Sequence, residues 1–287
     1  MVRFVDIIPD ATRLGAVERG YGIGRTILHV AEIDSTNRAL IDLGKTGVEH
    51  GTVLVANHQT RGRGKGSRSW FSTQSGSLCV SVLIRTGRPI EQASQLTLLG
   101  AVALWEAVAD QAGIAASIKW PNDLLVDGRK ISGILAEAHT DPAGELDFVV
   151  LGFGLNLAIA EADFPEDIRS TAISLSTLAR RPIEPLQILG GFLDALAVWL
   201  PLWESVGVSA FASTWTRHAE SLGQIVRLID GDEPIMARLL GLADDGALRI
   251  QDETGTIRLV HSGEIATGIP VGRGLDQISK NLTGVLT

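Results

Sequence analysis

The apolar positions of this chain recur with a period of two in several short runs and with a period near 3.6 in two long ones, a mixture that predicts an α+β fold. Thr26 to Ile33 alternates as a strand, and Asp34-Ser35-Thr36-Asn37 then offers capping side chains ahead of Ala39, Leu40 and Leu43 at helical spacing. Thr52 to His58 and Ser77 to Ile84 are further strands, joined by a glycine-rich basic loop. Glu91 to Ala112 reads as a long helix whose apolar face carries Leu96, Leu99, Val102, Ala103 and Ala107. Asp127-Gly128 separates Leu124-Leu125-Val126 from the run Lys130 to Ala136 and suits a type I′ hairpin, because both central residues tolerate positive φ. Phe148 to Leu155 is expected to pair antiparallel with that hairpin. Glu184 to about Ala219 is helical through Leu186, Leu189, Phe192, Leu193, Leu196 and Leu200, then Phe211 and Trp215.

Beyond Leu222 the texture changes. Short β-like runs (Ile225 to Leu228, Ile235 to Arg238, Leu248 to Ile250, Thr256 to Val260) alternate with turns at Asp230-Gly231, Asp245-Gly246 and Thr254-Gly255. They predict a small separate β-barrel or sandwich of about 50 residues. The tail from Gly268 onward, rich in Gly and Thr, reads as a loose terminus.

Composition narrows the function classes. The 287 residues allow roughly two domains, and 45% apolar content with a mean hydropathy of +0.21 describes a folded chain with a sizeable core. A net charge of −8 argues against non-specific nucleic-acid binding, which is dominated by phosphate neutralisation. The single cysteine, Cys79, sits in an apolar alternation and reads as a buried small hydrophobe. Without a partner for a disulfide, it points to a reducing compartment. The amino terminus lacks the apolar core of a signal peptide, and Ile188 to Trp203 is too short and too broken by Asp194 and Pro201 to span a bilayer. A cytoplasmic protein is expected, with no membrane partner. Six scattered histidines without paired spacing make a transition-metal site improbable, and no nucleophile elbow or Cys–His pair marks covalent catalysis.

The most informative stretch is Gln59-Thr60-Arg61-Gly62-Arg63-Gly64-Lys65-Gly66-Ser67-Arg68-Ser69-Trp70, with four cations and three glycines. Glycine brings backbone N–H groups close to a ligand, while Arg and Lys neutralise phosphate or carboxylate. Three readings fit the residues: a lid over an anionic ligand, a nucleic-acid contact loop and a solvated surface loop. A P-loop does not, because Gly66 follows Gly64-Lys65 and Gln59 stands where that motif needs its first glycine. Ordering such a loop costs much conformational entropy, so it is expected to order on its ligand.

Three other motifs carry two readings each. Lys119-Trp120-Pro121-Asn122-Asp123, at a strand end, is either a turn with an exposed lysine or a point charge aimed at an acyl phosphate. Gly152-Phe153-Gly154-Leu155-Asn156 opens like a dinucleotide fingerprint, but Leu157 takes the place of the third glycine. Its glycines then mark close backbone approach, with Asn156 offering its amide to a ligand. Asp34-Ser35-Thr36-Asn37 is a helix N-cap worth about 1 kcal/mol, or a set of polar groups for a ligand ring, and the two are compatible.

Taken together, these motifs and Lys130-Ile131-Ser132-Gly133-Ile134-Leu135-Ala136-Glu137 resemble biotin–protein ligases, in order and spacing, from about Thr26 to Ile265. The resemblance implies an α+β catalytic domain of the class II synthetase kind, a mixed sheet flanked by helices, followed by a small SH3-like C-terminal β-barrel that ends Gly263-Glu264-Ile265. The organisation expected is an N-terminal extension over 1–25, a catalytic domain over 26–220, the SH3-like domain over 221–270 and a tail over 271–287. It further implies that biotin and ATP give biotinoyl-5′-AMP and pyrophosphate, after which the acyl group passes to a lysine of a biotin carboxyl carrier domain. No covalent enzyme intermediate is needed.

Carried over by position, Ser35, Thr36 and Asn37 line the biotin pocket, with Gln59 at its edge and Arg63, Gly64 and Lys65 closing over it. Lys119 sits at the reacting carboxylate and α-phosphate, with Arg63 and Arg68 as the other charge-stabilising groups. Gly62, Arg63, Lys65, Arg68, Trp70, Asn122 and Asn156 face ATP or the adenylate. Trp70 either walls the pocket or anchors the loop. Mg²⁺ accompanies ATP, held mostly by substrate oxygens and water. A homodimer or an acceptor could use exposed sheet edges.

The chain departs from the family at the lid, which usually reads Gly-Arg-Gly-Arg-Arg-Gly-Arg-x-Trp. Lys65, Gly66 and Ser67 replace its central Arg-Arg-Gly, and Lys65 keeps a charge but loses a bidentate fork. Weaker retention of the adenylate is the expectation. Roughly 25 residues precede the first predicted strand, too few for the winged-helix repressor domain that some members carry. Two competing readings remain: a lipoate or octanoate ligase of the same superfamily, and a non-catalytic biotin-responsive binding protein.

Overall fold

In the computed structural model, which describes residues 12–15, 19–230 and 234–266, the alternating runs assemble into an eight-stranded sheet. The first strands are β1 (Thr12–Gly15), β2 (Ile27–Ile33) and β3 (Val53–Gln59); β4 (Gly62–Arg63) and β5 (Ser69–Trp70) form a separate hairpin. Then come β6 (Ser77–Ile84), β7 (Ser117–Lys119), β8 (Asp123–Val126), β9 (Arg129–Thr140) and β10 (Leu146–Asn156). The strand order is β1-β2-β3-β6-β10-β9-β8-β7, with β2 and β3 parallel and the other neighbours antiparallel. This is the mixed sheet expected. Every residue of β6 is buried, which its nearly continuous apolar run requires of a strand covered on both faces.

The helices α1 (Thr36–Gly44), α2 (Gln95–Ala112), α3 (Glu166–Arg169), α4 (Leu175–Leu178), α5 (Pro185–Val206) and α6 (Ala212–Arg217) flank it. On one face Leu96, Leu99 and Val102 of α2 pack with Phe192, Leu193 and Leu196 of α5 over Val80, Val82 and Leu151. On the other, Leu40 and Leu43 of α1 pack on Leu54, Cys79, Leu83 and Phe148. Ser35 caps α1 through its Oγ, which accepts from Arg38 N at 3.5 Å. The long helix read over Glu184 to Ala219 breaks at Gly207, whose φ of 67° ends α5 before a 3₁₀ turn and α6. By length and composition α5 passes as a membrane span, but Ile188, Phe192, Leu193, Leu196, Leu200 and Trp203 are buried in the core. The expected hairpin is present, with Asp127 at φ 50° and Gly128 at φ 72°.

The C-terminal unit is a five-stranded antiparallel sheet of the SH3-like kind: β11 (Ile225–Ile229), β12 (Pro234–Leu242), β13 (Leu248–Gln251), β14 (Ile257–Val260) and β15 (Glu264–Ile265), in the order β14-β13-β12-β11-β15. It is fastened to α2. Gln95 Nε2 donates to Asp245 O at 3.0 Å while its Oε1 accepts from Trp203 Nε1 at 2.8 Å. The tail, most of the N-terminal extension and Gly231 lie outside the described residues.

Of the sheet's two outer edges, the β7 edge is occupied. Ile118 N donates to His218 O at 2.7 Å and Glu220 N to Ile118 O at 2.8 Å, so this stretch of chain takes the place that an added strand would need. The expectation of exposed edges fails there.

Cys79 is fully buried, and burial pushes its thiol up to about 12. We expect a thiol reagent at pH 8 to leave it untouched in the native protein and to react with it in urea; stoichiometric native labelling would contradict its placement.

Candidate active site

The start of α1, the end of β3 and three glycine-bearing strands converge on one cleft. Gln59 Oε1 accepts from Thr36 N at 2.7 Å and from Thr36 Oγ1 at 3.0 Å. Ser81 Oγ lies 2.8 Å from Thr36 Oγ1 and 2.6 Å from Asn37 Oδ1, and Asn37 Nδ2 donates to Glu137 Oε2 at 2.8 Å. A buried polar chain thus holds Thr36 and Asn37 in single orientations against the cleft.

The glycines here leave room for side chains. A Cβ at Gly152 would run into Asn37 Oδ1, and one at Gly154 would run into the Trp70 indole. Trp70 lines the cleft and packs on Gly154. Its Nε1 is buried with no hydrogen-bond partner among the described residues, a donor aimed at nothing in the protein.

Over this cleft the basic loop forms the β4–β5 hairpin, closed by Gly64 N donating to Arg68 O at 2.8 Å, with Gly66 at φ 67°. Three of its side chains are anchored. Arg63 Nη1 pairs with Glu137 Oε1 at 2.9 Å, Arg68 Nη1 with Glu264 Oε2 at 2.7 Å, and Lys65 Nζ donates to Gly263 O at 2.8 Å. Two of the three anchors belong to the C-terminal unit. Burial, with Arg68 nearby, lowers the Lys65 pKa.

Two lysines share Asp123. Lys130 Nζ lies 2.6 Å from Asp123 Oδ1 and 5.6 Å from the centre of the Trp70 ring. Lys119, at the end of β7, pairs across the strands with Asp123 and is only 5% exposed. Burial lowers its pKa; Asp123 and Glu264 oppose that shift, while Lys130 and Arg68 add to it. An ammonium group, a lid arginine and an unpartnered indole N–H around one cleft are suited to a carboxylate or phosphate.

Comparison with known proteins agrees. The sequence matches the biotin/lipoate A/B protein ligase family over residues 30–156 and the biotin protein ligase C terminal domain over residues 221–268. It is 30% identical over 246 residues to the bifunctional ligase/repressor BirA of Bacillus subtilis strain 168, covering 86% of this chain and 75% of the relative. The chain belongs to the biotin protein ligase family. A biotin–[acetyl-CoA-carboxylase] ligase of Mycobacterium tuberculosis is 31% identical over 253 residues, covering 86% of this chain and 91% of that one. Among solved structures, biotin protein ligase from Aquifex aeolicus in complex with biotin and ATP matches with a TM-score of 0.73 and 30% identity, over 85% of this chain and 99% of that one.

Within this ligase fold, the structure gathers Ser35, Thr36, Asn37, Gln59, Arg63 and Trp70 around the cleft. Gly62 lies tight against Trp70 O and leaves no room for a Cβ. Gly64, Lys65 and Arg68 form the hairpin tip that leans on the C-terminal unit, away from the cleft wall. Neither Lys119 nor Lys130 is among the cleft-lining residues; Lys130 stands at the cleft's border, over the Trp70 ring. Asn122 Nδ2 donates to Ile134 O at 3.1 Å, and Asn156 Nδ2 lies 3.3 Å from both Lys130 O and Ile173 O. Asn156 therefore spends its amide N–H groups on holding the Lys130 segment.

The sequence reading overlooks Lys130, Ser81 and Glu137 as site residues. A serine in the middle of the apolar run Leu78 to Ile84 was the available signal for Ser81. Lys130 and Glu137 bracket the Ile131-to-Ala136 strand, where both look like solvated strand ends.

Proposed function

We propose that this chain activates biotin with ATP to biotinoyl-5′-AMP and transfers the acyl group to a lysine of a biotin carboxyl carrier domain. The observation that carries the reading is the Lys130 ammonium, held at 2.6 Å by Asp123 beside the Trp70 wall of a cleft whose lid arginine is Arg63. Thr36, Asn37 and Gln59 form the polar end of that cleft, for a ureido-type ring. Lys130 sits where a carboxylate at the other end arrives.

In the first step a biotin carboxylate oxygen attacks the α-phosphorus and pyrophosphate leaves. Lys130 and the lid cations stabilise the charge that grows on the phosphoryl oxygens, with positioning rather than acid–base work supplying the rate. In the second step the acceptor amine attacks the acyl carbon and AMP leaves. The protein contributes orientation and exclusion of water through the hairpin. Mg²⁺, where it accompanies ATP, would supply charge neutralisation and would be held mostly by substrate oxygens and water, since Asp123 is already paired with Lys130.

As it stands the cleft has only about 20 Å³ of free space, so ligand entry has to move Trp70 or Arg63. Exchange of labelled pyrophosphate into ATP tests the reading. It should depend on biotin and not on lipoate; lipoate-dependent exchange, or biotin binding without AMP formation, would replace the ligase reading with one of its competitors.

Lys65 bears on the second step. If its single-point contact holds the adenylate less firmly than an arginine fork, Lys65→Arg should cut biotinylation of a bystander protein several-fold at unchanged carrier-domain transfer. Equal leakage in the two proteins would remove Lys65 from the account.

A further inference from the structure

Two residues of the acyl cleft also border a second space. Ser35 and Arg63 line the cleft and, on their other side, a larger cavity of about 460 Å³ between the start of α1 and the basic loop. The side chains of Arg38, Asp42 and Lys45 around that cavity are about half-exposed, so it stands open to solvent, whereas the cleft is nearly filled. Arg63 is the partition between them.

That partition hangs on one contact. Arg63 is itself half-exposed, and its only ion pair among the described residues is with Glu137. Glu137 divides its two oxygens. Oε1 faces Arg63 Nη1 at 2.9 Å, while Oε2 accepts from Asn37 Nδ2 at 2.8 Å. Asn37 is turned that way because its Oδ1 lies 2.6 Å from Ser81 Oγ. Release of Arg63 therefore leaves the Glu137 carboxylate on Asn37 and not stranded, and a half-exposed ion pair is weak in water. The other walls are fixed more firmly. Trp70 rests on Gly133 and Gly154 with Lys130 over its ring. Gly133 and Leu135 belong to β9, inside the sheet, where Ile134 and Ala136 pack toward α2. Rotation of the Arg63 side chain also breaks none of the lid's contacts with the C-terminal unit, which Lys65 and Arg68 make.

The outer cavity has the charge to receive an anion. Arg38, Lys45, Arg61 and Arg63 line it against Asp34 and Asp42, four cations to two carboxylates, on a chain whose net charge is −8. A cationic mouth raises the local concentration of an anionic ligand and its rate of entry.

We propose that the Arg63–Glu137 pair is the gate of the acyl cleft, and that the cavity lined by Arg38, Lys45 and Arg61 is the route by which a carboxylate ligand reaches it. The proposal rests on the reading of biotin as the ligand of this cleft. Glu137 is here a positioning residue: it holds Arg63 across the closed cleft and yields it to the incoming carboxylate.

Stopped-flow tryptophan fluorescence on the full chain, with biotin as the probe, tests both halves. The observed rate should level off at high biotin, at the rate of opening. Glu137→Gln keeps the shape of the side chain and should raise that plateau several-fold, because the ion pair that opposes opening is lost. The double variant Arg38→Glu with Lys45→Glu, both at exposed positions, should lower the initial slope about tenfold at low salt and leave the dissociation rate unchanged. High salt should erase the difference, and the neutral alcohol analogue of biotin should not show it. A plateau unmoved by Glu137→Gln, or a rate that stays linear in biotin, would take the gate away from Arg63. Charge reversal that slows acid and alcohol alike, or neither, would remove the route. Failure of biotin to bind at all is a distinct result that overturns the ligase reading and the gate with it.

Discussion

Lys130→Ala should lower biotin-dependent pyrophosphate exchange by about 10²–10³-fold, the range seen when one preorganised charge-stabilising group is removed, while the native fold persists. The argument is positional. Lys130 Nζ sits over the Trp70 ring at 5.6 Å, and Asp123 fixes it at 2.6 Å without enclosing it, since its side chain is 34% exposed. Removing it takes away the one ion-pair partner that Asp123 has within 4 Å among the described residues, leaving Lys119, opposite it across β7 and β8, as the nearest compensating charge, so a modest fall in stability should accompany the loss of rate. Lys119→Ala should behave differently. That residue is 5% exposed, and deleting its side chain removes buried packing and a charge near Asp123 and Glu264, which keep Lys130 and Arg68 as partners, so thermal stability should fall along with the rate. Steady-state exchange and a thermal melt on the two variants separate the roles. A stable, inactive Lys119→Ala beside an active Lys130→Ala would hand the charge-stabilising role back to Lys119.

The second large effect is expected at a residue with no side chain. Gly154→Ala places a methyl group where the Trp70 indole lies, and the indole also rests on Gly133, the cross-strand partner of Gly154, so it must lift off the sheet toward the cleft. Overpacking of this kind costs about 1–3 kcal/mol. The larger loss should fall on biotin affinity, because the displaced ring occupies what little free space the cleft has. Calorimetric titration with biotin and urea unfolding give the two numbers. The double variant Gly154→Ala with Trp70→Ala should regain stability but not affinity. Wild-type affinity in Gly154→Ala would mean that Trp70 is not the cleft wall.

Much of the architecture was legible because it rests on local pattern. The Asp127-Gly128 turn, the Ser35 cap and the buried run of β6 follow from residue chemistry over a few positions, and all three are present. The glycines of Gly152-Phe153-Gly154 were legible as close approach, but not what approaches, since Asn37 and Trp70 come from segments about a hundred or more positions away in the case of Asn37 and about eighty in that of Trp70. The site was legible where side chains are carried on a corner or a loop, as at Thr36, Gln59 and Arg63. It was not legible where a functional group looks like an ordinary strand end, as at Lys130, nor where the lid's cations find partners in a distant unit, as Arg68 does at Glu264. Those pairings depend on how two units dock, which no short window of sequence encodes.

The alternation along β9 has a consequence for how this protein can change. Residue 133 lines the acyl cleft and residue 137 bonds Asn37 and Arg63 beside it, residues 134 and 136 pack toward α2, and residue 135 borders both the cleft and the space on the α2 side, so substitutions at 133 or 134 can retune one side while the other stays as it was. An inserted or deleted residue between 131 and 137 is a different event: it would exchange the two walls at a stroke, turning Ile134 or Ala136 toward the acyl cleft and Glu137 toward α2. Variation by point replacement should therefore be tolerated along this strand in laboratory selections, and variation in its length should be purged.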